Sequence, residues 1–339
     1  MSDETSEDVT AMTDVHESCL FPGGRVAAFE AVAPGTDPVA WAAANADRLR
    51  DRLRDAGACL LRGFAVPDES VFAAVVRVFD EELGEYTYGS TPRSKVGDVY
   101  TSTEYPAIEV IPLHNEMSYT TTWPLRIWFH SVVPARSGGE TPLADSHGVY
   151  NRVPARVRER FERHGVRYVR NYRPGLGLSW QDGFATADPA VVETFCRERG
   201  IGFEWLDDGA LRTVETCQAV AVHPETGKPV WMNQAHLFHV SNLKEATRRA
   251  LLDLVAEEDL PRNAYLGDGS PIDPADLTAI RHAYAEETVA FPWHAGDLLM
   301  VDNMAMAHGR SSFEGPRKVL VAMAAAHDTL PAVTATGAK

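Results

Sequence analysis

Only four cysteines occur in 339 residues, Cys19, Cys59, Cys196 and Cys217, far apart and without a C-x-x-C pair. That excludes a zinc knuckle and a disulfide framework and fits a reducing cytoplasm, the expected location. Basic residues are scarce as well: 32 Lys and Arg stand against 48 Asp and Glu, a formal net charge of -16. Such a field repels a phosphate backbone or an anionic membrane, so neither nucleic acid nor membrane is expected as a partner. No run is long and apolar enough to span a bilayer, and the acidic N-terminus lacks the basic and apolar segments of a secretion signal. Repeats and low-complexity tracts are also missing. In so acidic a chain an anionic ligand needs a local basic pocket, which makes an arginine beside candidate chemistry informative.

What is present is ordinary globular material: hydrophobic residues make up 45% and charged residues 24%, enough apolar side chain for a sizeable core. Residues 1–18 read as a disordered acidic tail, and 19–339 as a single catalytic domain with a helical insertion at about 153–285. The run DPVAWAAANADRLRDRLRDAG predicts an amphipathic helix from Asp37 to Gly57, followed by the buried strand ACLLRGF. A second helix is expected over about 68–83. The polar stretch YTYGSTPRSKVGDVYTST after it suits a lid or an entrance loop. AIEVIPLHNEMSY and WPLRIWFHSVVPA have the β-branched and aromatic density of strands. The C-terminal segment returns to strands in TVAFPW, GDLLMVDN and RKVLVAMAAA, so the β elements flanking the insertion are expected to pair across it.

His114 and Glu116 flank Asn115, and two residues apart on an extended backbone they project from one face. An imidazole and a carboxylate are two metal ligands. A third from far along the chain would complete the 2-His-1-carboxylate triad that leaves iron positions open for oxygen chemistry. Downstream, a turn at Gly296-Asp297 precedes an apolar strand, then a polar break at Asp302-Asn303, then His308-Gly309-Arg310. Arg317 follows nine residues after His308 (317 minus 308). A guanidinium grips a carboxylate bidentately and stays charged, a natural anchor for a 2-oxo acid; read alone, it is as easily half of a surface ion pair.

Three separated blocks, LHNEMSYTTTWPLRIWFHSVVPARSGGETPLAD, GKPVWMNQAHLFH and GDLLMVDNMAMAHGRSSFEGPRK, resemble the taurine dioxygenase (TauD/TfdA-like) superfamily of iron(II)- and 2-oxoglutarate-dependent oxygenases. The resemblance spans about 113–318. It implies a mainly β fold with helical insertions on a double-stranded β-helix (jelly-roll, cupin-like) core of the clavaminate synthase-like type. It implies further that His114, Glu116 and His308 are the Fe(II) ligands, that Thr141 and Arg317 hold the distal carboxylate of 2-oxoglutarate, and that O2 is consumed with succinate and CO2 as coproducts. Many members carry a second arginine four residues after the cosubstrate one, often used for an anionic substrate; here that position is Val321. NYRPGLGLSWQ and WMNQAHLFHVSN look like the syringomycin-pathway hydroxylase-like subgroup of amino-acid and peptide biosynthesis. That implies hydroxylation of an sp3 carbon in an amino-acid-like small molecule, free or tethered to an acyl or peptidyl carrier protein, in antibiotic-type biosynthesis, with desaturation or epoxidation as alternatives. Glu116 disfavours halogenation, since related halogenases carry a small residue there. Homo-oligomerisation is left open.

Asn233, Gln234 and His236 follow a β-like run and suit substrate contact, or else a capped turn. Arg310 suits support of the cosubstrate, or a surface ion pair. His236 and His239 could share one face of a helical turn as zinc does require, yet have no third partner in register. Trp123, Trp128, Trp180 and Trp231 are candidates for a pocket wall or for core packing. Two rivals from other classes are a zinc-dependent hydrolase, which needs no Thr and Arg dedicated to a 2-oxo acid, and a non-catalytic β-barrel binding module, in which a broken triad is expected.

Overall fold

The computed structural model describes residues 15–328 apart from 81, 85–87, 89–93, 103–104, 174 and 208. Asp37 begins the first helical layer: its carboxylate accepts from the N–H groups of Val39 and Ala40, and Pro38 occupies the first helical position. The run expected as one helix forms two, Pro38–Ala44 and Ala46–Ala56, separated at Asn45, whose φ of -118 is not helical. The second ends on Gly57 in the left-handed conformation. A Cβ at Gly57 would stand 2.7 Å from Met306, so this glycine also lets the helix end settle on the strand that carries His308.

Two antiparallel sheets dominate. The larger runs, in spatial order, Val15–Cys19, Ala27–Ala31, Ala58–Arg62, Leu298–Asp302, Thr122–Val133, Lys318–Asp328, Val99–Thr101 and Lys95–Val96, with a single parallel step between Ala27–Ala31 and Ala58–Arg62. The smaller runs Thr288–Val289, Leu143–Asp145, Met306–Arg310 and Ile111–His114. Side chains alternate across the larger sheet as a pleat demands. Trp128, Met300 and Leu320 face the helices and pack with Leu49, Leu53, Phe72 and Val76. Phe129, Leu299 and Val321 face inward and pack with Leu143 and Met306 of the smaller sheet. That inner layer is the jelly-roll core, and strands from both ends of the chain do pair across the insertion.

The insertion carries its own four-stranded antiparallel sheet, in the order Gly202–Trp205, Leu211–Cys217, Val166–Tyr172 and Arg262–Leu266, as well as helices such as Ala155–His164, Pro189–Glu198 and Pro274–Glu287. Among the described residues no helix is long and apolar enough to cross a membrane.

Three expectations shift. Residues 15–18, read as tail, belong to an edge strand that pairs with Ala27–Ala31, with Glu17 bound to Arg52 at 2.7 Å. A polar strand with one neighbour and outward side chains has no hydrophobic period to reveal it; residues 1–14 lie outside the described set. The second helix covers Glu69–Arg77 only, and Asp80 beyond it turns its carboxylate to Arg126. Of the polar stretch expected as a lid or entrance loop, Lys95–Val96 and Val99–Thr101 are strands, joined to the larger sheet through Thr101 opposite Leu320; most of the rest lies outside the described residues.

His130, in the strand Thr122–Val133, packs its ring 5.4 Å from that of Phe72, and neither ring nitrogen has a hydrogen-bond partner. Burial, helped by Lys318, pushes its pKa from 6.5 to about 4. The folded state therefore binds fewer protons at this site than the unfolded state, and stability falls as pH drops from about 6.5 towards 4. Denaturant unfolding followed across that range should show a smaller acid loss for His130→Leu than for the wild type; an equal loss would mean that other groups govern acid stability.

Candidate metal centre and cosubstrate recess

His114 is the last residue of the strand Ile111–His114, and its Nδ1 lies 2.8 Å from the carbonyl oxygen of Pro112. A ring nitrogen facing a carbonyl carries the proton, which makes Nε2 the nitrogen able to act as a metal ligand. Glu116 does not project from the same strand, as extended spacing suggested. The chain leaves the sheet after His114 and turns, with Met117 at φ 58. What holds this turn is buried amide chemistry: Asn303 accepts from the Glu116 N–H at 2.7 Å and donates to the carbonyls of Glu116 (3.0 Å) and Pro124 (2.8 Å). Asn115 in return donates to the Asn303 carbonyl at 2.6 Å and to Ser146 Oγ at 2.9 Å.

His308 arrives from the other end of the domain. The strand Met306–Arg310 lies between Ile111–His114 and Leu143–Asp145, with His308 directly opposite His114 in the ladder. Gly309 permits that approach, since a Cβ there would stand 2.6 Å from the carbonyl oxygen of Ile111. The two imidazole rings come within 4.6 Å, His308 Nε2 lies 3.9 Å from Glu116 Oε2, and all three donor atoms fall within 4.8 Å of one another. Among the described residues this is the one such cluster of metal-binding side chains. Two imidazoles and a carboxylate on one side of a common point suit a divalent iron with positions left open. Glu116 is 3% exposed, and a buried carboxylate facing two imidazoles suits a cation held between the three.

Next to His114 and His308 is a recess lined by Thr141, Arg317, Arg310, Phe129 and Val321. Thr141 is buried and its Oγ1 accepts from Trp293 Nε1 at 3.2 Å, which leaves its own proton free to be donated. Arg317 donates Nε–H to the carbonyl of Gly139 at 2.9 Å. A Cβ at Gly139 would come within 3.0 Å of the Arg317 side chain, and one at Gly138 within 2.2 Å of the Ser312 carbonyl, so the Gly-Gly pair before Glu140-Thr141 is what admits the arginine. Burial, then the neighbouring Arg310, lowers Arg317 to about 10, opposed by Glu140. It remains a cation at neutral pH. Among the described residues Arg310 makes no acid pair: it donates to the carbonyls of Tyr105, Pro106 and Glu109 at 2.7–2.9 Å and so clamps the segment that forms one wall of a second cavity.

That second cavity, of about 370 Å³, opens on the other side of His114 and Glu116. Of the three residues expected at a substrate, Gln234 lies on its wall, with Nε2 donating to the Asn115 carbonyl at 2.8 Å. Asn233 and His236 are buried elsewhere. Asn233 bonds the Ala219 carbonyl and the Ala235 N–H, the capped-turn alternative. His236 donates to the Leu113 carbonyl next to His114 and is stacked on Tyr284, with its pKa pushed to about 3 by burial. His239 bonds Ser241, so no zinc pair forms with His236. Trp128 and Trp231 are core, and Trp180 packs on Trp205; Trp123 lines a separate cavity. Sequence reasoning passed over Asn303 as a determinant of the Glu116 turn, and over Trp293 as the partner of Thr141. The polar break at Asp302-Asn303 inside an apolar segment was the available signal for the first.

The fold is thus a double-stranded β-helix with a facial histidine and carboxylate cluster at one mouth. The family model for "Taurine catabolism dioxygenase TauD, TfdA family" matches residues 21–323, and the chain belongs to that family. It is a dioxygenase dependent on iron(II) and 2-oxoglutarate, with a small molecule as substrate. The chain is similar to the dapdiamide synthesis protein DdaC of Enterobacter agglomerans, 40% identical over 80% of this chain and 83% of that one. A clavaminate synthase-like protein of Arabidopsis thaliana is 34% identical over 81% and 83% of the two chains. Among solved structures, PvcB of Pseudomonas aeruginosa covers 91% of this chain and 90% of its own at a TM-score of 0.53 and 18% identity, a likeness of fold.

Asn303→Ala leaves the Glu116 N–H and the Pro124 carbonyl unpaired, at about 1–3 kcal/mol for each buried group. It is expected to weaken metal binding about 10- to 100-fold through displacement of Glu116. Titration of the apoprotein with manganese(II), followed by electron paramagnetic resonance, checks this; unchanged affinity in a destabilised variant would confine Asn303 to folding.

Proposed function

We propose that His114, Glu116 and His308 hold the iron, that Thr141 and Arg317 receive the distal carboxylate of 2-oxoglutarate, and that an amino-acid-like substrate enters the larger cavity. One observation carries the reading: His114 lies on the wall of both the recess and the cavity, so cosubstrate and substrate would meet at the three donor atoms. Bound iron(II), 2-oxoglutarate and O2 together supply the oxidant, with succinate and CO2 as coproducts. Everything else falls to the chain. The Thr141 hydroxyl donates one hydrogen bond and the Arg317 guanidinium supplies a charge-assisted one, which orients the cosubstrate chain along the recess. Phe129, packed edge-on against His308 at 5.3 Å, and Val321 keep its floor apolar and exclude water. The Pro112 carbonyl fixes the tautomer of His114.

Hydroxylation of an sp3 carbon is the reaction favoured, with desaturation or epoxidation using the same residues and differing in where the substrate sits. Halogenation is disfavoured because Glu116 retains the carboxylate that a halide would have to replace. The likeness to a dapdiamide synthesis protein supports a biosynthetic role, with a free or carrier-tethered substrate. A zinc hydrolase would have no use for a recess holding Thr141 and Arg317.

Anaerobic addition of iron(II) and 2-oxoglutarate is expected to produce the weak visible charge-transfer band of a chelated 2-oxo acid. His308→Ala should abolish it. Arg317→Ala should retain it but raise the half-saturating 2-oxoglutarate concentration about 10- to 100-fold, the loss of one charge-assisted pair. A folded His308→Ala protein with the full band would overturn the assignment.

A further inference from the structure

The larger cavity has a charge imbalance that the iron chemistry leaves unused. Three charged side chains line it besides Glu116. Lys244 and Glu109 neutralise each other, with Nζ 2.7 Å from Oε1 and 3.1 Å from Oε2. Arg262 is left over. Among the described residues its guanidinium has no ion pair and no hydrogen bond; its one close partner is the ring of Phe238, 5.2 Å from Cζ. No carboxylate is among the groups that act on its ionisation, which burial and Arg170 push below the ordinary arginine value. By surface area Arg262 is exposed, and yet it is desolvated. Both hold for a cation recessed on the wall of a cavity.

The backbone places a second cation beside it. Arg170 sits directly opposite Arg262 in the ladder between Val166–Tyr172 and Arg262–Leu266. It is buried at 5% exposure under the faces of Tyr88 (4.2 Å) and Tyr119 (4.3 Å), with its Nη2 unpartnered. No carboxylate is among the groups that act most on Arg170, and Glu215, which Arg170 does influence, is raised to about 7 by burial and so is a weak counterion. Like charges placed opposite one another in a ladder are destabilising, and an arrangement of this kind is relieved by an anion. Gln234 and Tyr119 stand on the same wall as neutral hydrogen-bonding groups. The position where family members often keep a substrate arginine is Val321, on the floor of the cosubstrate recess.

We infer that the substrate carries a carboxylate, and that Arg262, from the insertion, binds it on the cavity wall and so determines which small molecules present a carbon to the metal centre. The inference rests on the oxygenase reading above, with the cavity as the substrate side. A guanidinium accepts a carboxylate through two parallel hydrogen bonds and discriminates strongly against the matching amide.

The test uses the holoprotein loaded with manganese(II) and 2-oxoglutarate, with no O2, treated with phenylglyoxal, and arginine adducts mapped by mass spectrometry. Arg262 is expected to react, and butyrate to slow its modification about tenfold, as bidentate pairing would. Butyramide should have no such effect, and no such protection should appear at Arg136, an exposed arginine paired with Glu314. In Arg262→Lys the iron(II) and 2-oxoglutarate band should persist at full amplitude, which separates this proposal from the metal assignment: loss of the band in wild type overturns that assignment instead. Equal protection by butyrate and butyramide would overturn the carboxylate inference. Protection by inorganic phosphate with none by butyrate would overturn it too, and would favour a phosphate-bearing tether.

Discussion

The pairing of His308 with His114 across two antiparallel strands is the constraint on which the rest of the site depends. Because residues directly opposite in a ladder have side chains on the same face, that register alone points two imidazoles at one place although 194 positions separate them (308 minus 114). A slip of one residue would turn His308 to the opposite face of the sheet. The register is held by a bulge-like shift just after His308, by the absence of a side chain at Gly309, and by the Leu143–Asp145 strand on the other side.

Glu116 is held by another means. It comes from a turn, and turns need their backbone groups satisfied where they are buried. Asn303 does this from the link between the strands Leu298–Asp302 and Met306–Arg310, so the chain that delivers His308 also anchors the carboxylate. The proposed metal site and the core strand order are therefore tied together, and apart from the Asn115–Ser146 bond the links of the buried amide network run to backbone partners. The recess proposed for the cosubstrate repeats the theme. The Gly138-Gly139 pair makes room for Arg317, and Trp293 orients the hydroxyl of Thr141.

Much of this was legible beforehand. The H-x-E pair, the Gly-Gly-Glu-Thr element and the arginine nine residues past His308 lie in short contiguous segments, and the resemblance to an oxygenase family located them. The helices Pro38–Ala44 and Ala46–Ala56 and the strands after the insertion were readable from their hydrophobic periods. The edge strand Val15–Cys19 was hidden by its polarity. The place of Asn233 and His236 after a strand suits substrate contact or a capped turn alike, and the tight turn that follows draws both side chains inward to backbone partners.

Residue types and local order in the chain were thus enough to indicate the family and its kind of chemistry, since the candidate metal donors, the proposed cosubstrate arginine and their spacing are written in short motifs. Where those groups stand was decided by tertiary structure alone. Strand register brings His308 to His114, a distant asparagine sets the turn at Glu116, and the sheet of the insertion places Arg262 opposite Arg170 beside the cavity. Each of these depends on hydrogen bonds between segments far apart in sequence, and no local pattern of residues encodes which distant backbone a strand will meet.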